Sequence, residues 1–291
     1  MIRIDVSLAD LKDKVTGEND QWLSDAGALT DRFRAAGTYE DHTAIWRRIV
    51  KVYMRLQNSK CAFCERKLEG EETGGTREFD VEHFRPKSSV KAWPPKKLQD
   101  ELPDGFPVSQ GSPQGYFLLP YHLYNYTVSC KPCNQGFKSN YFPIAGPRKT
   151  NGEDPRQMKT EKPYLLYPLG RVDLDPEKVI RYEGALAVPV TKSGVKHNRA
   201  IATIVFFGLN TRAEHIEERA GKLAGLYLAL EERDAANPLK RRVARTALEW
   251  LCSARSSHTN CMRSFRKLYE SDKPRAEQVI DKVAKLLETT S

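Results

Sequence analysis

Two pairs of cysteines carry the clearest chemical signal in the chain. The pairs are Cys61-Ala-Phe-Cys64 and Cys130-Lys-Pro-Cys133. Together they supply four thiolates, the ligand set of a closed tetrahedral zinc site. A redox-active dithiol would account for one pair but not for the second. We therefore predict a structural zinc that holds the fold, because four cysteines leave no open position for a substrate.

A short acidic segment with one histidine lies between the two pairs. Asp80, Glu82 and His83 follow a Gly-rich turn at Gly74-Gly75, and alternation with apolar residues predicts a short strand that Pro86 ends. A neutral imidazole can take a proton from water near neutral pH. A neighbouring carboxylate can hold a hard divalent cation such as Mg²⁺. The segment therefore has the groups that metal-assisted hydrolysis requires.

Three polar residues around the second cysteine pair complete the set. Asn125 precedes Cys130, Asn134 follows Cys133 directly, and Lys138 comes one helical turn after Asn134. Asn134 and Lys138 would therefore share one face of a helix. The amide oxygen of Asn134 could bind a metal, and the ammonium of Lys138 could meet a phosphate.

At these residues the chain resembles the HNH endonucleases, also called ββα-metal or His-Me finger nucleases. In that family a strand ends in an acidic residue and a histidine, a loop carries an asparagine, and a helix carries a final histidine or asparagine. The resemblance rests on the two cysteine pairs and on Glu82-His83, Asn125, Asn134 and Lys138.

The resemblance implies a role for each matching residue. His83 would be the general base that activates water. Glu82 would help to bind the catalytic metal, and Asn134 would be the second protein ligand. Asn125 would hold the loop that orients His83, and the four cysteines would form the zinc staple seen in many members.

Two positions depart from the common pattern of that family. The acidic position is commonly Asp, and the extra methylene of Glu82 moves its carboxylate, so Asp80 could share or take over the metal. The final position is Asn134 where many members have histidine, which favours Mg²⁺ or Mn²⁺ as the catalytic metal.

A narrower resemblance concerns the HNH nuclease subunits of Septu-type and retron-associated anti-phage systems. It is carried by Glu82-His83-Phe84-Arg85-Pro86-Lys87, by the segment from Cys133-Asn134 to Phe142-Pro143, and more weakly by residues 165–177 and 204–210. It covers roughly residues 55–235 and implies an ATPase partner in the same system.

The pattern of the whole chain predicts a mainly helical α+β protein, and the resemblance implies that a zinc-bound ββα module is embedded in it. Residues 1–58 form a helical segment, with a helical apolar pattern in residues 39–57 that we interpret as core packing. Residues 59–148 form the HNH module, with a loop inserted around residues 86–115. Residues 149–291 are mostly helical, with helices expected at 196–207 and from Thr211, in capping-box spacing with Glu214, to about residue 233. Two or three more helices would fill residues 238–289.

Composition points to a polyanionic partner and away from membranes. The 291 residues carry a net charge of +9 with a pI near 9.2, which suits DNA or RNA. Arg85, Lys87 and Lys138 would grip the phosphate backbone. No apolar run reaches the roughly 18 residues of a membrane helix, and residues 1–15 lack a signal-peptide core. The sequence therefore predicts a cytoplasmic protein.

The remaining cysteines and histidines are interpreted as structural or surface residues. His122 is the exception to test, because it lies three residues before Asn125 and could point into the site. The others in this group are Cys252, Cys261, His42, His197, His215 and His258.

Three functions remain open at this stage. The first is an HNH DNase that acts in anti-phage defence. The second is an RNase with the same site, perhaps one that cuts tRNA, which could recognise or use the 2′-hydroxyl. The third is a non-catalytic zinc module that docks nucleic acid or protein through the same cysteine pairs.

Overall fold

The N-terminal helices begin and end where local capping groups allow. The computed structural model describes residues 1–40, 43–68 and 78–290, so the predicted Gly74-Gly75 turn and His42 lie outside the described residues. Helix α1, Leu8–Glu18, begins after Ser7, whose hydroxyl oxygen accepts a hydrogen bond from a backbone N–H in the first turn. Helix α2, Trp22–Ala36, ends at Gly37, which adopts the left-handed conformation that glycine tolerates best.

The helical pattern predicted for residues 39–57 forms a shorter and mixed structure. Ala44 has a φ of 50°, so the helix cannot extend back through it. A 3₁₀-helix, Ile45–Ile49, leads directly into helix α3, Val50–Leu56. Ile45, Ile49 and Val52 are buried, as the apolar pattern predicts.

A two-stranded sheet followed by a helix forms the centre of the chain. Strand β1, Phe79–His83, pairs antiparallel with strand β2, Tyr126–Cys130, and His83 lies opposite Tyr126. A π-helix, Pro132–Lys138, follows β2 after one residue. The wider turn of this helix comes from backbone hydrogen bonds between residues five apart, such as the one from the Ser139 N–H to the Asn134 carbonyl at 2.6 Å.

The segment between β1 and β2 is largely loop, as the sequence predicts. It contains a short helix, α4, Lys96–Gln99, and a 3₁₀-helix, Leu123–Asn125, just before β2. Two isolated bridges, Val90 with Ser112 and Trp93 with Ser109, fold the loop back on itself.

The C-terminal part consists of a small hairpin and long helices. The hairpin strands are β3, Ile180–Glu183, and β4, Leu186–Pro189. The helices are α5, Gly194–Phe206; α6, Ala213–Glu232; α7, Pro238–Cys252; α8, Thr259–Ser271; and α9, Lys273–Thr290.

The capping box predicted for Thr211 and Glu214 is wrong. Helix α6 begins at Ala213, and Arg212 is its N-cap residue without a side-chain capping bond. The Glu214 carboxylate instead accepts a hydrogen bond from Arg212 Nε at 3.1 Å. In a capping box the Glu214 carboxylate would accept from a backbone N–H, whereas here it forms an ion pair with Arg212.

The coarse expectation of a helix-rich α+β chain is confirmed. Over residues 1–40, 43–68 and 78–290, the structure combines helices with two small antiparallel sheets. No helix in these ranges has the length and apolar character that crossing a membrane requires. The boundaries predicted for the three regions stay a prediction.

One buried carboxylate ties the inserted loop to the end of β1. Glu161 has no exposed surface, and its oxygens accept hydrogen bonds from Tyr116 Oη at 2.7 Å and from the Lys149 backbone N–H at 2.9 Å. Arg85, two residues after β1, donates from Nε to Glu161 at 3.0 Å. The charge of Glu161 is thus stabilised by donors from three separate segments.

We predict that Arg85→Ala destabilises the protein by about 3–5 kcal/mol, because it leaves a buried carboxylate without its cation. Chemical denaturation followed by circular dichroism measures the free energy of unfolding. Arg171→Ala is the matched control, because Arg171 pairs with Asp5 at the surface and exposed pairs contribute little. Equal losses in the two variants would contradict the role given to Glu161.

Candidate functional site

The four cysteines of the two pairs come together in the interior. Cys61 and Cys64 lie in the turn after α3, Cys130 ends β2, and Cys133 lies in the first turn of the π-helix. All four are buried, and their sulfur atoms lie within 4.8 Å of one another. The sulfur atoms of Cys64 and Cys130 are 3.8 Å apart. Tetrahedral zinc with bonds of about 2.3 Å spaces its sulfurs by about 3.8 Å, so the cluster could hold a metal such as zinc.

Neighbouring groups fix the position of this cluster. The backbone N–H of Ala62 donates to the carbonyl of Val128 at 3.1 Å, which joins the first cysteine turn to β2. Arg212 donates from Nη1 to the sulfur of Cys133 at 3.5 Å. Phe63 stacks on Phe207 with ring centroids 4.1 Å apart. The start of α6 and the end of α5 therefore both support the cluster.

His83 is held in one tautomer by a backbone carbonyl. Its Nε2 lies 3.1 Å from the carbonyl oxygen of Pro120. A carbonyl only accepts, so Nε2 must carry the proton and Nδ1 keeps its lone pair. Burial holds the pKa of His83 well below its ordinary value, with Lys87 acting in the same direction. The imidazole is therefore neutral and has a free basic nitrogen.

Two aromatic rings set the orientation of His83. Trp46 contacts it edge-on, with ring centroids 4.6 Å apart and planes at 89°. Tyr126, its partner across the sheet, lies at 5.1 Å. With its Nε2 bonded and its ring packed between these neighbours, His83 has little rotational freedom.

Asn125 joins the two backbone segments on either side of His83. Its side-chain oxygen accepts from the Arg85 backbone N–H at 2.8 Å, and its amide nitrogen donates to the carbonyls of Arg85 and Leu119 at 3.0 and 3.1 Å. Leu119 precedes Pro120, the residue whose carbonyl binds His83. Asn125 is fully buried. It therefore links the strand end that carries His83 to the loop that holds its ring.

Glu82 and Lys138 form a buried pair. Lys138 Nζ lies 3.4 Å from Glu82 Oε1 and 3.5 Å from the carbonyl oxygen of His83. Burial raises the pKa of Glu82 to about 7, against the opposing effect of Lys138. Burial also lowers the pKa of Lys138. The lysine is thus placed to orient one carboxylate oxygen of Glu82.

A cavity of about 230 Å³ lies beside β1 and collects several of the expected residues. His83, Asp80 and Asn134 line it, and Asp80 accepts a hydrogen bond from Gln135 Nε2 at 3.2 Å. Glu82 is not among the residues that line the cavity, because its carboxylate is buried against Lys138. The cavity therefore brings the imidazole of His83 together with the oxygens of Asp80 and Asn134.

The three expected phosphate-binding cations lie in different environments. Lys87 lines the cavity and lies over the Trp46 ring at 4.5 Å. Arg85 and Lys138 are buried and paired with Glu161 and Glu82. Arg85 and Lys138 were expected to be exposed and to contact phosphate. Each is instead buried, and its charge neutralises an interior carboxylate. Of the three, Lys87 is the one that reaches the cavity.

Sequence reasoning missed several residues that line the cavity, among them Trp46, Arg47 and Gln135. Trp46 and Arg47 line the cavity, although the apolar pattern indicated only core packing for Trp46. His122 does not point into the site. Its Nδ1 accepts from the backbone N–H of Tyr124 at 3.1 Å and caps a short 3₁₀-helix. Trp46 and Arg47 lie far before Asp80 in the sequence, so the spacing of the motif could not identify them as cavity residues.

Comparison with known proteins gives one distant relative. The chain is 26% identical over 166 residues, 57% of its length, to a protein named Septu protein PtuB from Bacillus mycoides (strain KBAB4). It covers 48% of that relative, or about half of its length. No protein-family model matches the chain. No solved structure matches it. The similarity is thus to a Septu protein over part of both chains, and it leaves the family of this chain open.

Proposed function

We propose that this chain is a metal-dependent endonuclease of the HNH type that hydrolyses DNA phosphodiester bonds. The observation that carries the proposal is the state of His83. Its Nε2 bonds to a carbonyl, its Nδ1 is free to accept a proton, and it borders a cavity with Asp80 and Asn134. Strand β1, strand β2 and the π-helix occur along the chain in the order that the resemblance implies.

On this proposal His83 takes the proton of the attacking water. A general base must be neutral and correctly oriented before it can accept that proton. The Pro120 carbonyl and the Trp46 ring supply the orientation. Lys87, at the cavity, would contact a backbone phosphate without reading the base sequence.

A hard divalent cation, Mg²⁺ or Mn²⁺, fits the oxygen donors at this cavity. Asn134 and Asp80, which line the cavity, would hold it together with Glu82, whose side chain lies on the same side of β1 as that of Asp80. When bound, such a cation stabilises the charge that develops on the phosphate. Lys138 would act as a positioning residue by holding Glu82 Oε1.

The second metal is a zinc bound by the four cysteines. Its donors are buried thiols spaced as tetrahedral zinc requires, so it would hold the module together and bind no substrate.

The resemblance and the Septu relative together support a role in anti-phage defence. We propose that the chain is the nuclease effector of such a system and acts with an ATPase subunit. The net charge of +9 fits a nucleic-acid substrate.

We predict that His83→Ala reduces plasmid cleavage in Mg²⁺ or Mn²⁺ by about 10²–10⁴-fold, because the general base is lost. Gel analysis of nicked and linear plasmid measures the rate, with and without a co-expressed ATPase. His197→Ala is the control, because His197 lies on α5 and bonds to the carbonyl of Thr191. A His83→Ala protein that cuts like its parent would refute the base assignment.

Cleavage of total RNA with intact plasmid would favour an RNase, and cleavage of neither would favour a binding module.

We predict that Glu82→Gln raises the Mn²⁺ concentration needed for half-maximal cleavage by at least about tenfold, because a ligand oxygen loses its charge. Asp80→Asn should raise it less, because the resemblance gives the main ligand role to Glu82 and leaves Asp80 to share it. A Mn²⁺ titration of the cleavage rate compares the variants. The reverse order would move the main ligand role to Asp80, and no change in either would remove the metal site from this cavity.

We predict that Cys130→Ser loses one equivalent of zinc and folds poorly, because metal binding and folding are coupled at such sites. Metal analysis and the yield of soluble protein measure both effects. Cys252→Ser is the matched control, because Cys252 is a thiol outside the cluster. A folded Cys130→Ser protein with the zinc content of its parent would rule out the four-cysteine site.

A further inference from the structure

A second group of metal-ligating side chains lies where α6 meets the start of α8. His215 and Glu218 lie three residues apart on α6, so they share one face of the helix. His258 is the N-cap residue of α8. One ligand atom from each lies within 4.8 Å of the others. Spacing along the chain predicts no metal site here, since His258 lies 40 or more positions from the other two residues.

One imidazole nitrogen in this group has no partner among the described residues. His215 is 3% exposed, and its Nε2 is buried without a hydrogen bond within the described chain. A buried polar atom of this kind costs free energy unless something binds it. The ring of His215 lies beside that of His258, with centroids 5.6 Å apart. The unpartnered nitrogen therefore lies on a ring that borders the other two ligands.

The carboxylate of Glu218 is already positioned by its neighbours. Ser257 Oγ donates to Glu218 Oε1 at 2.5 Å, and Lys222 Nζ lies 3.9 Å from the same oxygen. His258 Nε2 lies 3.0 Å from the other oxygen, Oε2. Outer contacts to one carboxylate oxygen are typical of metal ligands, because they leave the second oxygen to the ion.

We infer that His215, Glu218 and His258 form a second zinc site. Two imidazoles and one carboxylate are a known protein ligand set for Zn²⁺. Binding replaces the hydrogen bond between His258 and Glu218 with a bond from each to the ion, and it uses the free Nε2 of His215. The Glu218 side chain is 39% exposed, so the site is open to solvent on that side for a fourth ligand such as water.

The position of this site connects it with the cysteine cluster. The backbone N–H of His258 donates to the carbonyl of Glu65, the residue after Cys64, at 3.3 Å. Arg212, at the start of α6, contacts Cys133. Zinc at the second site would therefore fasten α8 to α6 beside the first cysteine turn.

The test is a Zn²⁺ and Co²⁺ titration of the purified full chain after chelator treatment. With excess Mg²⁺ present to occupy the cavity beside His83, parent protein should bind about two equivalents, one of them with the thiolate-to-cobalt absorption of the cysteine cluster and one without it. His215→Ala should lose only the equivalent that lacks this absorption. Glu218→Gln should weaken the same equivalent by at least about tenfold. His197→Ala is the control and should match the parent.

Circular dichroism checks that each variant is folded. If His215→Ala does not fold, the half-exposed Glu218→Gln variant decides. A parent that binds only the thiolate-type equivalent would overturn the inference, and so would unchanged binding in Glu218→Gln. Because the cobalt spectra separate the two sites, loss of the cysteine-bound metal cannot be mistaken for loss of the second one.

Discussion

The convergence of four buried thiols is the constraint on which the central part of the structure depends. Cys64 and Cys130 are 66 positions apart, yet their sulfur atoms lie 3.8 Å from each other. Their approach holds the first cysteine turn against β2 and places the π-helix at the end of that strand. Strand β1 pairs with β2 along its whole length, so His83 lies opposite Tyr126, four residues before Cys130. A metal in the cluster would therefore stabilise the site without touching a substrate.

Helix α6 supports two clusters at once. Arg212 contacts the sulfur of Cys133 at its first turn, and His215 and Glu218 lie next along the helix beside His258. The start of α6 thus connects the cysteine cluster to the C-terminal helices. The failure of the expected capping box is part of the same arrangement, because Glu214 binds Arg212 instead of the backbone.

Interior ion pairs explain why two of the expected phosphate contacts are buried. Arg85 neutralises Glu161, and Lys138 neutralises Glu82, each at a fully or nearly fully buried carboxylate. A buried charge needs a partner, since an unpaired one is strongly unfavourable. These cations position the backbone and carboxylates around the cavity, and Lys87 is the member of the motif that lines it.

The sequence alone determined which residues could do chemistry. Cysteine spacing predicted the cluster, alternation predicted β1, and the apolar patterns predicted most C-terminal helices within a few residues, because these signals are local. Tertiary structure decided which side chains meet. Trp46 reaches His83 from a distant helix, Lys138 turns inward to Glu82, and His122 caps a short helix. The grouping of His215, Glu218 and His258 was also decided there, because helix packing brings together residues that no spacing rule connects.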